Sequence, residues 1–271
     1  MNKMLEIGII DLVSKKPTNK LFARIMNANF ASIMPQVVGV WCEEEGHNVN
    51  YICYTGKEDL INDLPINADM VFICAFTESS LTAYALSNLL RSLGAVTVLG
   101  GPHARCYPED AVKYFDYVVG FTDKKIIQEI LYDRSPHRPM GLYLNAQNQP
   151  LSLPGVRERW KFIEPTLKKA PLIKMVPMLG SLGCPYKCSF CIDSTVAYQP
   201  LNFEILKEDL KFLFEINSSS GSGRIFLLKM DFKTSKLALN EGADMKLFSY
   251  DEMKKISKKT PEVEKYCNIF N

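Results

Sequence analysis

Residues 95–102 read Ala95-Val96-Thr97-Val98-Leu99-Gly100-Gly101-Pro102. The first five are small or branched and mostly apolar, the composition of a buried strand; the glycines and the proline end it abruptly. Pro102 has no N–H to give a ladder, but its fixed φ suits the first turn of a helix. At Gly100 and Gly101, backbone without side chains lets a ligand approach closely. The same alternation runs outward in both directions. Upstream, residues 5–12, 49–54 and 70–75 read as strands. Helices are expected over 36–45, stopped by Gly46, and over 79–93, stopped by Gly94. Downstream come a short helix over 108–115 opened by Pro108, a short strand over 117–119 and a helix over 124–132. Alternating elements at this spacing predict an α/β chain with a parallel sheet covered by helices on both faces. Ligands of such sheets bind beyond the carboxyl ends of the strands, where Gly100 and Gly101 lie.

A second stretch carries chemistry. Gly183-Cys184-Pro185-Tyr186-Lys187-Cys188-Ser189-Phe190-Cys191 spaces three thiols as C-x3-C-x2-C. Thiolates are soft ligands that select iron–sulfur clusters, zinc or copper(I). Structural zinc sites and electron-transfer clusters normally take four protein ligands. Here no fourth Cys or His lies nearby: Cys267 is 76 residues on, and the nearest histidine is His137. A cubane held by three cysteines keeps one iron open to an outside ligand. Zinc completed by Cys267 or a distant residue stays as an alternative, as does a non-catalytic iron–sulfur module for electron transfer or redox sensing. A disulfide within the loop suits an intracellular enzyme less well than a metal does.

The spacing, with Phe190 at the aromatic position, resembles the signature of the radical S-adenosylmethionine (radical SAM) enzymes. The resemblance implies a 4Fe-4S cluster on Cys184, Cys188 and Cys191, with S-adenosylmethionine chelating the open iron and Phe190 near its adenine. It implies reductive cleavage of that cofactor to a 5′-deoxyadenosyl radical. It also implies an electron donor such as flavodoxin or ferredoxin, and a substrate, a small molecule or one of unknown class, that the sequence does not identify. The N-terminal half resembles the cobalamin-binding domain that precedes many radical SAM cores. The resemblance rests on Val98-Leu99-Gly100-Gly101-Pro102-His103-Ala104, on Pro108-Glu109-Asp110-Ala111, on Asp116-Tyr117-Val118-Val119-Gly120, and on the turn Glu43-Glu44-Glu45-Gly46-His47-Asn48-Val49. It implies a Rossmann-like domain with Gly100, Gly101, His103 and Gly120 as cobalamin contacts, and methyl transfer or rearrangement as the reaction. Two departures stand out. The D-x-H-x-x-G motif that supplies a histidine to cobalt is absent, and Gly120-Phe121-Thr122-Asp123 replaces an acidic turn. Cobalamin without a protein ligand to cobalt, or a vestigial scaffold, both fit these departures; for His103, a packing or capping role beside a turn is the alternative.

Four segments follow from these readings: the cobalamin-binding-like domain over 1–134, a linker over 135–171, the start of a radical SAM (β/α) barrel over 172–217, and a junction with a divergent α+β tail over 218–271. The linker holds four prolines between 135 and 154 and a small hairpin around 141–144. A partly helical stretch over 156–169 would present Arg157, Arg159 and Lys161 on a solvated face. The barrel start consists of a strand over 173–179, the cluster loop and a helix over 202–216, with Ile205, Leu206, Leu210, Leu213 and Phe214 on its buried side. Only 80 residues follow Cys191, whereas a full barrel needs about 200, so the core reads as shortened. The tail, with a strand over 224–230 and a strand-to-helix turn over 246–253, weakly resembles the end of a Nudix domain. It lacks the glutamate-rich metal-binding box, so no pyrophosphatase activity is expected.

Composition sets the remaining bounds. The chain has 271 residues, 47% hydrophobic and 23% charged, and a net charge of +2. That balance gives no general attraction to nucleic acid. No apolar run reaches the length that spans a bilayer, and the N-terminus reads as a first strand rather than a leader. A cytoplasmic location is expected. Of the other cysteines, Cys53 and Cys74 fall in apolar strands and read as small buried side chains. His47 and His137 read as surface residues.

Overall fold

The computed structural model describes residues 3–14, 31–56, 58–150, 152–169 and 175–220. Strands β1 (Glu6–Leu12), β2 (Asn48–Tyr54), β3 (Met70–Ala75), β4 (Val96–Gly100), β5 (Tyr117–Val119) and β6 (Leu142–Leu144) form one sheet in the order β2-β1-β3-β4-β5-β6. Every neighbouring pair is parallel. The order reverses beside β1, which makes the carboxyl ends of β1 and β3 the topological switch point. The fold is thus α/β and Rossmann-like, as the alternation of elements requires.

Both sheet faces are covered, so the inner strands are buried and mostly apolar on both sides. On one face Ile7, Ile9, Met70, Phe72, Val98 and Val119 pack against α1 (Ile33–Glu44) and its Val37, Val38 and Trp41. On the other, Ile10, Leu12, Val71, Ile73, Leu99 and Val118 pack against α2 (Ser80–Ser92) through Ala83, Leu86 and Leu90. Short helices α3 (Pro102–Cys106) and α4 (Pro108–Ala111) follow β4. After β5 comes α5 (Lys124–Asp133), whose Ile126, Ile127 and Ile130 join the α1 face. The Asp123 carboxylate caps α5 by accepting from Ile126 N–H at 2.9 Å. Helix α6 (Val156–Lys169) crosses α1 at Gly39, where a Cβ would stand 2.8 Å from the Phe162 ring.

Several expectations change. The hairpin expected around 141–144 is instead a parallel sixth strand: Tyr117 pairs with Leu142 and Val119 with Leu144. The stretch read as a linker therefore supplies an edge strand and a helix packed on α1. Pairing with β5 across more than twenty intervening residues leaves no local turn signal to read. The stretch 102–106 is helical, and α4 is shorter than the 108–115 expected. His47 is buried rather than exposed, and its Nδ1 accepts from Leu5 N–H at 3.3 Å. Arg159 is also buried: its Nη1 donates to Gln36 Oε1 at 2.8 Å and its Nε to Pro154 O at 3.1 Å. Of that helical trio only Arg157 and Lys161 face outward, and Lys161 pairs with Glu43.

Residues 175–179, the described part of the strand expected over 173–179, form no strand. Pro177 offers no N–H, and among the described residues no strand pairs with the segment. A two-residue antiparallel pair, β7 (Ser181–Leu182) with β8 (Gln199–Pro200), comes next. Helix α7 (Phe203–Ser220) confirms and extends the helix expected over 202–216. From Glu204 onward it belongs to a second unit. The strand expected over 224–230, the strand-to-helix turn expected over 246–253, and Cys267 lie outside the described residues. Among the described residues no helix is long and apolar enough to cross a membrane.

Candidate functional site

Two places carry the candidate residues. The first is the carboxyl end of the sheet on the α1 face. A cavity of about 60 Å³ opens there, lined by Ile9, Met34 and Cys74 and by Gly100, Gly101 and Gly120. Each glycine is there for a different reason. Gly101 has φ +92°, and a Cβ would stand 2.9 Å from Cys74 Sγ and 3.0 Å from Ala75 O. A Cβ on Gly120 would strike Tyr143 Oη and Asn145 Oδ1, and the latter accepts from Phe121 N–H at 2.8 Å. A Cβ on Gly100 would meet nothing within 4 Å, because it would project into open space.

His103 does not join these glycines. It is buried beside α2, its Nε2 is 2.7 Å from Tyr84 Oη, and its Nδ1 is 3.4 Å from Thr77 Oγ1. Tyr84 donates to Asp110 Oδ2 at 2.9 Å. Its single hydrogen is then spent, so His103 Nε2–H donates to Tyr84 and Nδ1 accepts from Thr77. Burial holds the imidazole below its usual range, in keeping with this neutral tautomer. His103 ties α3 to α2, the packing role that was the alternative to cofactor contact.

Sequence reasoning passed over Asp11, the next-to-last residue of β1. It is fully buried; its Oδ2 accepts from Ser32 N–H at 2.6 Å and from Tyr51 Oη at 3.1 Å, while Oδ1 has no partner. Its signal was a carboxylate inside Ile9-Ile10-Asp11-Leu12, where apolar residues are the rule. Burial raises its pKa to about 6, against the hydrogen bonds from Ser32 and Tyr51 that lower it. A carboxyl with a raised folded value is favoured by folding in its neutral form. Its ionisation therefore subtracts stability as pH rises from about 4 to 6, by roughly 3 kcal/mol once complete. Asp11→Asn is expected to unfold at a higher urea midpoint than the parent at pH 7. The advantage should shrink toward zero at pH 4, and an equal difference at both pH values would contradict the assignment.

The second place is the cysteine loop. Its base is pinned by the β7–β8 pair and by Leu201 N–H to Gly180 O at 3.0 Å. Gly183 has φ +67°, and a Cβ there would collide with the Ala197 carbonyl, so only glycine closes the base. Within the loop Cys191 N–H donates to Cys188 O at 3.2 Å, and Ser194 donates to Cys191 O from N–H at 3.1 Å and from Oγ at 2.6 Å. All three thiols are free; Cys184 and Cys191 are half-buried and Cys188 is exposed. Phe190 is 91% exposed. Among the described residues no three Cys, His, Asp or Glu side chains converge on a common point. The loop thus brings the three sulfurs onto one pinned stretch but does not aim them together. By donor chemistry they suit a soft iron–sulfur group, and their half-exposed, unbridged state leaves them open to one.

No protein-family profile matches this chain. It is similar to Bacteriochlorophyllide d C-8(2)-methyltransferase of Chlorobaculum tepidum, 24% identical over 185 residues that cover 65% of this chain and 41% of that protein. It is also similar to Bacteriochlorophyllide d C-12(1)-methyltransferase of the same organism, 23% identical over 129 residues that cover 47% of this chain and 28% of that protein. The chain spans less than half the length of either relative.

Proposed function

We propose that this chain carries the cobalamin-binding-like domain and the cluster loop of a radical SAM methyltransferase. The observation behind the proposal is the similarity over 185 residues to a methyltransferase. The radical SAM assignment within it rests on the Cys184–Cys188–Cys191 spacing. When bound, a 4Fe-4S cluster with S-adenosylmethionine supplies one-electron chemistry, and cobalamin supplies a methyl carrier.

The chain's own residues do the holding. Cys184, Cys188 and Cys191 bind iron; the hairpin base and Gly183 fix where their loop begins and ends. Phe190, exposed on the loop, offers its ring to the adenine. Gly100, Gly101 and Gly120 line the cavity at the switch point, and Gly100, which faces open space, leaves the approach free for cobalamin, while His103 serves packing. The substrate is a small molecule, and the relatives make a chlorophyllide-type tetrapyrrole the class to try first. A flavodoxin or ferredoxin supplies the electron, and a cytoplasmic location suits the free thiols.

The test is anaerobic reconstitution with iron and sulfide, then addition of dithionite and S-adenosylmethionine. A brown protein that forms 5′-deoxyadenosine supports the proposal. A colourless protein holding zinc refutes it, and a brown protein without product reduces it to an electron-transfer module. Cobalamin binding is tested separately with hydroxocobalamin. Gly100→Leu places a side chain in the open space and should weaken binding roughly tenfold or more, the effect of about 1.4 kcal/mol. The circular dichroism spectrum should not change, because a Cβ there meets nothing.

A further inference from the structure

We propose that Arg105 is an anion-binding residue at the mouth of the cavity, and that the occupant joins a largely uncharged body to one phosphate or carboxylate. The inference rests on the reading of this cavity as a ligand site and adds the charge that the ligand carries. Two contacts place the guanidinium. Arg105 lies on α3, which follows Gly101 directly, and its Cζ stands 5.0 Å from the centre of the Phe121 ring. Phe121 falls between Gly120 and Thr122, which both line the cavity. Its N–H donates to Asn145 Oδ1 at 2.8 Å, its carbonyl accepts from Ala146 N–H at 2.8 Å, and its ring packs on the α1-face core. The platform beside Arg105 is therefore fixed. The second contact is electrostatic. Cys74 lines the same cavity, with its Sγ where a Cβ on Gly101 would collide. Burial and then Asp11 push its thiol up, and the charge of Arg105 acts in the opposite sense.

The chemistry of this pairing selects the ligand. The side chains of the cavity wall are apolar apart from Cys74 and Thr122. Such a wall suits an uncharged group and offers nothing to an anion. Arg105 supplies what the wall lacks. A guanidinium stacked against an aromatic ring keeps its N–H edge, and that planar fork matches phosphate and carboxylate. A cavity of about 60 Å³ admits only a small part of a cofactor-sized ligand. The anion is therefore held outside it, at the mouth, where Arg105 is half-buried. Both ligand types already proposed meet this description. Cobalamin carries one phosphodiester on a corrin body with neutral amide arms. A chlorophyllide-type tetrapyrrole carries a carboxylate on an apolar macrocycle.

Affinities are measured with two pairs of probes that differ in the anion. The first is hydroxocobalamin against cobinamide, which lacks the phosphodiester and its base. The second is pyropheophorbide a against its methyl ester. The parent is expected to favour the anionic member of one pair by roughly tenfold or more, the scale of one charge-assisted hydrogen bond. Arg105→Met keeps a side chain against Phe121. It should erase that preference and leave the affinity of the member without the anion unchanged. Arg105→Lys keeps the charge without the fork and should restore part of the preference. The pair that responds separates phosphate from carboxylate as the source. A preference that survives Arg105→Met overturns the proposal, and hydroxocobalamin binding that persists leaves the cobalamin reading standing without it. Equal losses for both members of a pair overturn it too, since they mark a structural role. A parent that binds the chlorin pair alone, with a preference that depends on Arg105, supports the proposal and removes cobalamin. A parent that shows no preference in either pair, or binds neither, overturns it.

Discussion

Cys188→Ala is expected to leave the anaerobically reconstituted protein nearly colourless and to cut 5′-deoxyadenosine formation by more than roughly 100-fold. That loss exceeds the 10- to 100-fold typical when only a neighbour of a metal ligand is changed. With three thiols on the loop and no further Cys, His, Asp or Glu converging with them among the described residues, none is a spare. Cys188 is also the exposed member, so its removal disturbs no packing and the loss reads as loss of a ligand. Cys106, exposed on α3, is the control: Cys106→Ala should keep colour and product. Retained colour in Cys188→Ala sinks the ligand assignment.

Asp116→Ala is expected to destabilise the sheet domain by roughly 3–5 kcal/mol, the range for breaking a buried ion pair from one side. Asp116 is fully buried between β4 and β5. Its Oδ2 accepts from Thr97 N–H at 2.9 Å, and its Oδ1 from Arg138 Nε at 3.0 Å. Arg91 Nη2 stands 3.6 Å from the same Oδ1. Removal leaves two guanidinium groups facing each other and a strand N–H without its acceptor. Asn keeps an acceptor for Thr97 and should lose less. The urea midpoint reads the effect, provided the slope is unchanged. A loss under about 1 kcal/mol in the alanine variant would mean that water replaces the carboxylate at little cost.

Much of this architecture was legible before any coordinates. Met70–Ala75 and Tyr117–Val119 are apolar on both faces, which only a doubly covered strand explains, and the structure places both with those limits. Leu142–Leu144 was not legible as a sheet strand, because three residues carry too little pattern and the partner is distant in sequence. Five-residue α3 is too short to show helical periodicity. His47 and Arg159 looked like surface residues by type. Leu5 N–H and Gln36, which satisfy them inside, are chosen by tertiary contact and not by neighbours in the chain.

The candidate site divides along the same line. Gly101 was readable because its backbone demands glycine, and Gly100 and Gly120 because they close strands. The part played by His103 was not, since it depends on Tyr84, nineteen residues earlier. Asp11 broke the apolar pattern of β1, a conflict between local preference and composition that often marks a working residue. The cysteine spacing singled out three candidate donors. It did not say which way each sulfur points, because a loop's backbone angles are not set by spacing.

The position of β1 also bears on how the chain reaches this state. Ile7 meets Val49 on one side and Met70 on the other. β1 therefore stands between two strands that both follow it in the chain, and it waits for both neighbours to emerge. Until then a segment that carries Ile7, Ile9, Ile10 and Leu12 has no sheet partner. Such long-range pairing is slow and exposed to self-association. Cool, slow expression should favour recovery of folded material, and refolding from urea at high protein concentration should give aggregates that dilution suppresses.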